Sequence, residues 1–195
     1  MEPDGAQIAV DWRCGDGALW RPDEVATLLF VFDGAGRVLL IHKKRGLGRG
    51  KINGPGGRLE PGETPVQAAV RETREELGIA VADPRFCGSL RFQFTDGYAL
   101  HGHVFKTTRW TGEPVETDEA IPEWFPVDAI PYDRMWEDDR HWFPLMLAGT
   151  PFSGRFIFDG ETMRWMSLEP GFDEEDAAVN GATPSTSPGG ETTCR

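Results

Sequence analysis

The chain has 195 residues, 39% hydrophobic and 27% charged, with a formal net charge of −12 at pH 7. That length suits one domain with a sizeable core plus tails, and the acidic balance excludes a broad basic surface, so no polymeric nucleic acid partner is expected. Cys14, Cys87 and Cys194 form neither a disulfide framework nor a zinc signature; with no secretory leader pattern at the start and no stretch long enough to cross a bilayer, a cytoplasmic protein without a membrane partner is expected.

Residues 1–22 mix Gly, Asp and scattered apolar side chains and read as an N-terminal extension with room for a short strand. Residues 25–32 and 37–42 are rich in β-formers and flank Asp33-Gly34-Ala35-Gly36, which predicts a hairpin of largely buried strands. A loop dense in glycine and positive charge follows. Its cations, Lys43, Lys44, Arg45, Arg49 and Lys51, complement a polyphosphate, and its glycines let backbone N–H groups approach one. The bland alternative is a solvated loop that keeps an acidic protein soluble.

The next stretch predicts a short helix with firm punctuation: Thr64 as N-cap, Pro65 at the first helical position, Gln67 completing a capping box, and Gly78 ending the helix. Helical periodicity gathers Val66, Ala69, Val70, Thr73 and Leu77 on a packing face. Glu72, Glu75 and Glu76 share the other face, where three repelling carboxylates call for a cation; hard oxygen donors select Mg²⁺ or Mn²⁺. The bland reading is a solvated acidic face with Arg71 and Arg74 in ordinary ion pairs.

Beyond the helix, residues 79–82 read as a short strand, and 86–94 with 98–107 as a second hairpin across Thr95-Asp96-Gly97. Phe92 and Phe94 point the same way, as core or as the wall of a base pocket. A strand is expected around residues 123–127. A helix from about Met135 to Leu147 must accommodate Pro144 by a late start or a kink. A last hairpin spans 152–159 and 163–168. From about Pro170 the apolar pattern fades into an acidic, Ser/Pro/Gly-rich tail expected to be disordered. The expected domains are thus an extension (1–22), a folded domain (23–168) and a tail (169–195).

Gly57, five residues, Glu63, seven residues, Arg71-Glu72, two residues, Glu75-Glu76, one residue, then Gly78 and Ile79: this spacing resembles the Nudix box at every fixed position. Only Thr73 stands where an aliphatic residue is usual. The resemblance implies an α+β fold, a Nudix α/β/α sandwich with a mixed β-sheet flanked by helices. It also implies hydrolysis of a nucleoside diphosphate linked to another group, with Mg²⁺ held by the helix carboxylates. Lys43-Lys44-Arg45-Gly46, Asn53-Gly54, Glu116-Thr117-Asp118-Glu119, Met135-Trp136-Glu137-Asp138-Asp139 and Trp142-Phe143-Pro144-Leu145 further resemble the animal-type oxidised purine nucleoside triphosphate hydrolases, over about residues 25–168. The likeness departs at Leu47, Ile52, Pro55 and Ala120.

By that resemblance the Gly56 carbonyl, Glu72, Glu75, Glu76 and Glu119 carry the metal ions, and Arg71, Glu75, Glu76 and Glu119 are catalytic, with Glu76 or Glu119 taking the proton of the attacking water. Thr27, Lys43, Asn53, Phe92, Phe94, Trp136, Asp138, Asp139 and Phe158 line the nucleotide pocket. The residue chemistry agrees: Asn53 carries donor and acceptor for a purine edge, and Trp136 offers a stacking plane worth ~1–3 kcal/mol. Asp138 and Asp139 can share a proton if desolvated, against the bland reading of a helix cap plus a surface acid. The expected substrate is a nucleoside triphosphate, 8-oxo-dGTP or 2-hydroxy-dATP, cleaved to monophosphate and pyrophosphate by a monomer. The rival readings are another nucleotide conjugate, such as ADP-ribose or a dinucleoside polyphosphate, and a silent nucleotide sensor.

Overall fold

Alternation of side chains along two neighbouring strands sets the architecture. In the computed structural model, which describes residues 20–173 and Asp176, β1 (Glu24–Phe32) sends Phe30 into one core and Leu29 and Val31 into another. Its antiparallel neighbour β2 (Arg37–Lys43) sends Val38 and Leu40 to the first and Leu39 and Ile41 to the second. Successive residues of a strand face opposite sides of its sheet, so these continuous apolar runs require a layer on each face.

Helix α1 (Pro65–Leu77) covers one face with Ala69 and Leu77, and α2 (Asp139–Ala148) covers the other with Trp142, Phe143 and Met146. The remaining strands are β3 (Ile52–Asn53), β4 (Ala80–Ala82), β5 (Arg85–Phe94), β6 (Ala99–Thr107), β7 (Arg109–Thr111), β8 (Ala120–Pro126), β9 (Phe152–Asp159) and β10 (Thr162–Pro170). The main sheet runs β10-β9-β5-β6-β1-β2-β3, with β8 paired to β2. Pairs β1–β6 and β5–β9 are parallel and the rest antiparallel. This is the expected α/β/α sandwich around a mixed sheet.

The predicted caps of α1 are present. Gln67 N–H donates to Thr64 Oγ1 at 3.4 Å, the Gln67 amide oxygen accepts from Thr64 N–H at 2.9 Å, and Gly78 ends the helix at φ 72°. The packing face is rotated from its expected position, however. Val66 is exposed, whereas Ala68 and Glu76 join Ala69, Thr73 and Leu77 in burial. The rotation follows from the glutamate: the sheet edge offers Glu76 a buried hydrogen-bond donor, and Val66 at the first turn overhangs solvent. Thr73, the one departure from the box, is fully buried and satisfies its hydroxyl by donating to Ala69 O at 2.8 Å.

Helix α2 starts later than expected, at Asp139, after a single 3₁₀ turn at Tyr132–Arg134, and Pro144 still lies inside it. Short strands β3 and β7 escaped the sequence reading because pairs of two and three residues carry no periodicity; β7 pairs with β4 in a separate two-stranded sheet. Ordered structure also continues beyond 168. β10 runs to Pro170, Phe172 stacks on Phe86 with ring centroids 5.1 Å apart, and Asp173 pairs with Arg91 at 2.6 Å. The expected extension up to residue 19, and the tail at 174–175 and from 177 onward, lie outside the described residues. Among those described, no helix is long and apolar enough to cross a membrane.

Phe152 backs α2, stacking on the buried indole of Trp142 at 5.6 Å, and is itself fully buried. Phe152→Ala is expected to cost ~3–5 kcal/mol, measured by urea unfolding of purified protein; a loss below about 1 kcal/mol would show that this layer does not hold α2.

Candidate active site

Glu76 is the site's pivot. The carbonyls of Pro55 and Gly57 accept from Leu29 and Thr27 N–H at 2.9 and 2.8 Å, which lays the loop along β1 and turns the intervening Gly56 peptide the other way. Gly56 N–H there donates to Glu76 Oε2 at 2.8 Å, and Lys43 Nζ stands 3.7 Å from Oε1. Glu76 is 2% exposed. Burial pushes its carboxyl up to about 7, opposed by the Lys43 charge and the Gly56 hydrogen bond and reinforced by the charges of Glu72 and Glu119.

Arg71 organises the neighbouring acids. It reaches Glu63 Oε1 and Oε2 at 2.8 and 2.9 Å, Glu72 at 2.8 Å, Glu75 at 3.0 Å and the Arg58 carbonyl at 3.0 Å. These bonds hold the Glu63 carboxyl down at about 2 and raise the guanidinium above its usual range. The clamp leaves no room beside the Glu72 carboxylate, since a Cβ on Gly57 would lie 2.5 Å from it. Here the box needs glycine for close approach.

A cavity of about 460 Å³ joins these acids to an aromatic pocket. Glu72, Glu76, Glu119 and Gly56 line it together with Thr27, Lys43, Asn53, Phe92, Phe94, Trp136, Asp138, Asp139 and Phe158, so nearly all of the expected site residues are brought together. Two are not. Arg71 stands behind the carboxylates as their clamp, and Glu75 is 57% exposed on the outer side of Arg71, away from the cavity lining. Their spacing on the helix separates Glu75 from Glu76 by about 100°, enough to put one in solvent and the other under the sheet edge.

The charged loop divides similarly. Lys43 and Arg45 line the cavity, with Arg45 paired to Glu119, whereas Lys44 is held by Glu116 at 2.6 Å and by the Thr117 carbonyl. Lys51 pairs with Glu161 at 3.0 Å and sits 5.0 Å over the Trp136 ring, where it buttresses an aromatic wall instead of facing phosphates. Phe158 meets Trp136 edge to face at 5.4 Å, and Phe94 lies 5.8 Å from Phe158.

Both aspartates at the start of α2 are buried. Asp138 Oδ2 accepts from Trp142 Nε1 at 2.9 Å, and Asp139 Oδ2 accepts from Trp136 N–H at 2.9 Å. Burial raises both carboxyls, and the Asp138 charge raises Asp139 further. Neither is a surface acid. Asn53 is set by its own amide oxygen, which accepts Gly54 N–H at 2.8 Å. Thr27 Oγ1 is buried without a hydrogen-bond partner among the described residues.

The donor set fits a divalent cation. Three carboxylates and a backbone carbonyl crowd one cavity, all are hard oxygen donors, and one acid is raised by burial first and by its neighbours' charge second, both of which a cation would offset. Sequence reasoning missed Leu90, Leu100, Gly102 and Trp142 as lining residues. The alternation in β6 marks Leu100 and Gly102 as one face, and nothing in the sequence says which.

A buried acid with a raised pKa stabilises the fold fully below its unfolded value, 3.8 for aspartate, and loses that contribution as pH rises through the folded value. Wild type is therefore expected to lose stability relative to Asp139→Asn as pH rises above 3.8. Urea unfolding of both proteins without metal checks this, and a pH-independent difference would contradict it.

Comparison with known proteins agrees with this geometry. The chain is 46% identical over 138 residues to the oxidized purine nucleoside triphosphate hydrolase of Danio rerio, which covers 70% of this chain and 88% of that one. It is 42% identical over 134 residues to the protein of the same name from Mus musculus, covering 68% and 86%. The crystal structure of a MutT protein from Bacillus halodurans superposes with a TM-score of 0.68 at 28% identity, covering 75% of this chain and 97% of that one. With residues 22–146 also matching the NUDIX domain model, the chain belongs to the Nudix family.

Proposed function

We propose that the protein hydrolyses oxidised purine nucleoside triphosphates such as 8-oxo-dGTP and 2-hydroxy-dATP to the monophosphate and pyrophosphate, removing them from the nucleotide pool. The observation that carries this reading is one cavity in which a cation-binding set of carboxylates meets an aromatic pocket holding two buried aspartates and Asn53. Relatives bearing that activity in their names cover about 70% of the chain.

Glu72, Glu76 and Glu119 with the Gly56 carbonyl would hold Mg²⁺, or Mn²⁺; when bound, the ion neutralises phosphate charge and acidifies bound water. Glu75 is the outlier of the expected set, engaged by Arg71 on the solvent side. Arg71 acts through the others, as a positioning residue that fixes Glu72. Both Glu76 oxygens already face fixed partners. Glu119 is 39% exposed at the rim, and among the described residues its carboxylate is bound through Arg45. We assign the proton transfer to Glu119: a triphosphate draws the Arg45 guanidinium onto itself, and the freed carboxylate oxygen accepts the proton of the attacking water. Lys43 steadies the departing pyrophosphate.

In the pocket a purine stacks against Trp136, whose ring Lys51 and Phe158 hold in place. Asp138, bound by the Trp142 indole, stays an acceptor, while Asp139 is the acid kept protonated and so donates. A donor beside an acceptor matches a base edge that carries both a carbonyl and a ring N–H, as oxidised purines do.

Pyrophosphate release measured over normal and oxidised dNTPs, with and without Mg²⁺, tests the reading. Metal-dependent release with 8-oxo-dGTP or 2-hydroxy-dATP preferred over dGTP is expected; no turnover, or no preference for the oxidised nucleotides, overturns it. Glu119→Gln is expected to lower kcat by ~10²-fold, and rates within tenfold of wild type would move the proton elsewhere. Asp138→Asn should change the ratio of kcat/KM between 8-oxo-dGTP and dGTP by at least ~10-fold; an unchanged ratio would remove the aspartates from base recognition.

A further inference from the structure

The opposite face of the sheet carries a second cluster of ligand-type side chains. In β6, Leu100 and Gly102 line the nucleotide cavity, so His101 and His103, which alternate with them, face away from it. Both histidines are buried and their ring centroids lie 4.4 Å apart. The chain returns to this face after β10. Phe172 stacks on Phe86, Asp173 binds the buried Arg91, and fully buried Asp176 lies against the histidine pair. One ligand atom from each of His101, His103 and Asp176 lies within 4.8 Å of the others.

Part of the cluster is an ordinary polar network, since Ser89 hydrogen-bonds the Asp176 carboxylate and Arg91 lies near it, but two of its atoms are left over. His101 Nε2 and Asp176 Oδ1 are buried without a hydrogen-bond partner among the described residues, a condition that costs ~1–3 kcal/mol per group. The other oxygen of Asp176 is held in place: Asp173 N–H donates to Oδ2 at 3.2 Å, and Asp176 N–H donates back to Asp173 Oδ1 at 3.0 Å. Asp173 in turn neutralises Arg91, whose guanidinium also reaches Ser89 and Ser153. The carboxylate is thus oriented by neighbours while one oxygen is left to face the imidazoles, the pattern by which surrounding groups set a metal ligand.

We propose that His101, His103 and Asp176 form a structural site for a late first-row divalent cation, zinc foremost, separate from the magnesium-type site on the other side of the sheet. Two imidazoles and one carboxylate favour Zn²⁺, Co²⁺ or Ni²⁺ over Mg²⁺. Tetrahedral bonds of ~2 Å put donor atoms ~3.4 Å apart, so side-chain rotations closing ~1 Å bring the three into coordination. Bound metal would fasten the segment after β10 to the sheet.

Zinc titration of the metal-stripped full chain, followed by calorimetry in excess Mg²⁺ so that the glutamate site is filled, tests the proposal. One equivalent of tight Zn²⁺ is expected, weakened at least ~10-fold in His101→Ala and in Asp176→Asn and unchanged in Glu72→Gln. With Co²⁺ in place of Zn²⁺, wild type should gain a strong visible absorption band, characteristic of a four-coordinate nitrogen-containing site, that six oxygen ligands do not give. Absence of Zn²⁺ binding in Mg²⁺, binding that survives both substitutions, or loss of it in Glu72→Gln would each overturn the site. Should His101→Ala fail to fold, the Co²⁺ spectrum of wild type and the Asp176→Asn titration decide alone.

Discussion

A carboxylate buried beside two other carboxylates is the constraint around which this structure is arranged. Glu76 sits at 2% exposure with only one backbone N–H and a lysine at 3.7 Å to offset its charge. Desolvation at such a place favours the neutral acid, and the charges of Glu72 and Glu119 favour it further. Burying Glu76 beside two other acids does not serve stability; a divalent cation turns the same crowding into attraction. Much of the local architecture serves this arrangement. The capping box fixes where α1 begins, Gly78 fixes where it ends, and Arg71 gathers Glu63, Glu72 and Glu75 so that Glu72 faces inward.

The sheet then connects this charged end to base recognition. Because β1 and β2 are apolar on both faces, α1 and α2 are held on opposite sides, and the cavity receives residues from both helices and from the strands between them. Glu72 and Glu76 come from α1, Trp142 and Asp139 from α2, and Phe92 and Phe158 from the sheet. The glycine-rich loop contributes on two fronts. Lys43 and Arg45 face the carboxylates, while Lys51 is spent on the indole of Trp136. Phosphate chemistry and base recognition are therefore mechanically linked through one loop.

Much of this was legible in the residues. Strands, caps and hairpins carry their signals locally: alternation, β-branched runs, Thr-Pro-x-Gln before a helix, and glycine at its end. The cavity-facing carboxylates of α1 were legible because their spacing is fixed by the helix itself. What failed to be legible depended on partners distant in sequence. Val66 and Ala68 exchanged places at the packing face because Glu76 finds its hydrogen bond on Gly56, 20 residues away. Glu75 lies off the cavity lining because Arg71 holds it outward, and Lys51 turns away from the cavity because it pairs with Glu161 and the Trp136 ring. The His101–His103–Asp176 cluster had no sequence signal at all, since its third member lies 73 residues from the second.

Direct titration of the Glu76 side-chain carboxyl by carbon NMR, with and without saturating Mg²⁺, bears most closely on the crowded acid. In the metal-free protein it is expected to titrate near 7, and with Mg²⁺ bound its titration should move below the ordinary glutamate value of about 4.3. An ordinary value in the absence of metal, unmoved by Mg²⁺, would contradict both the burial and the cation that it implies.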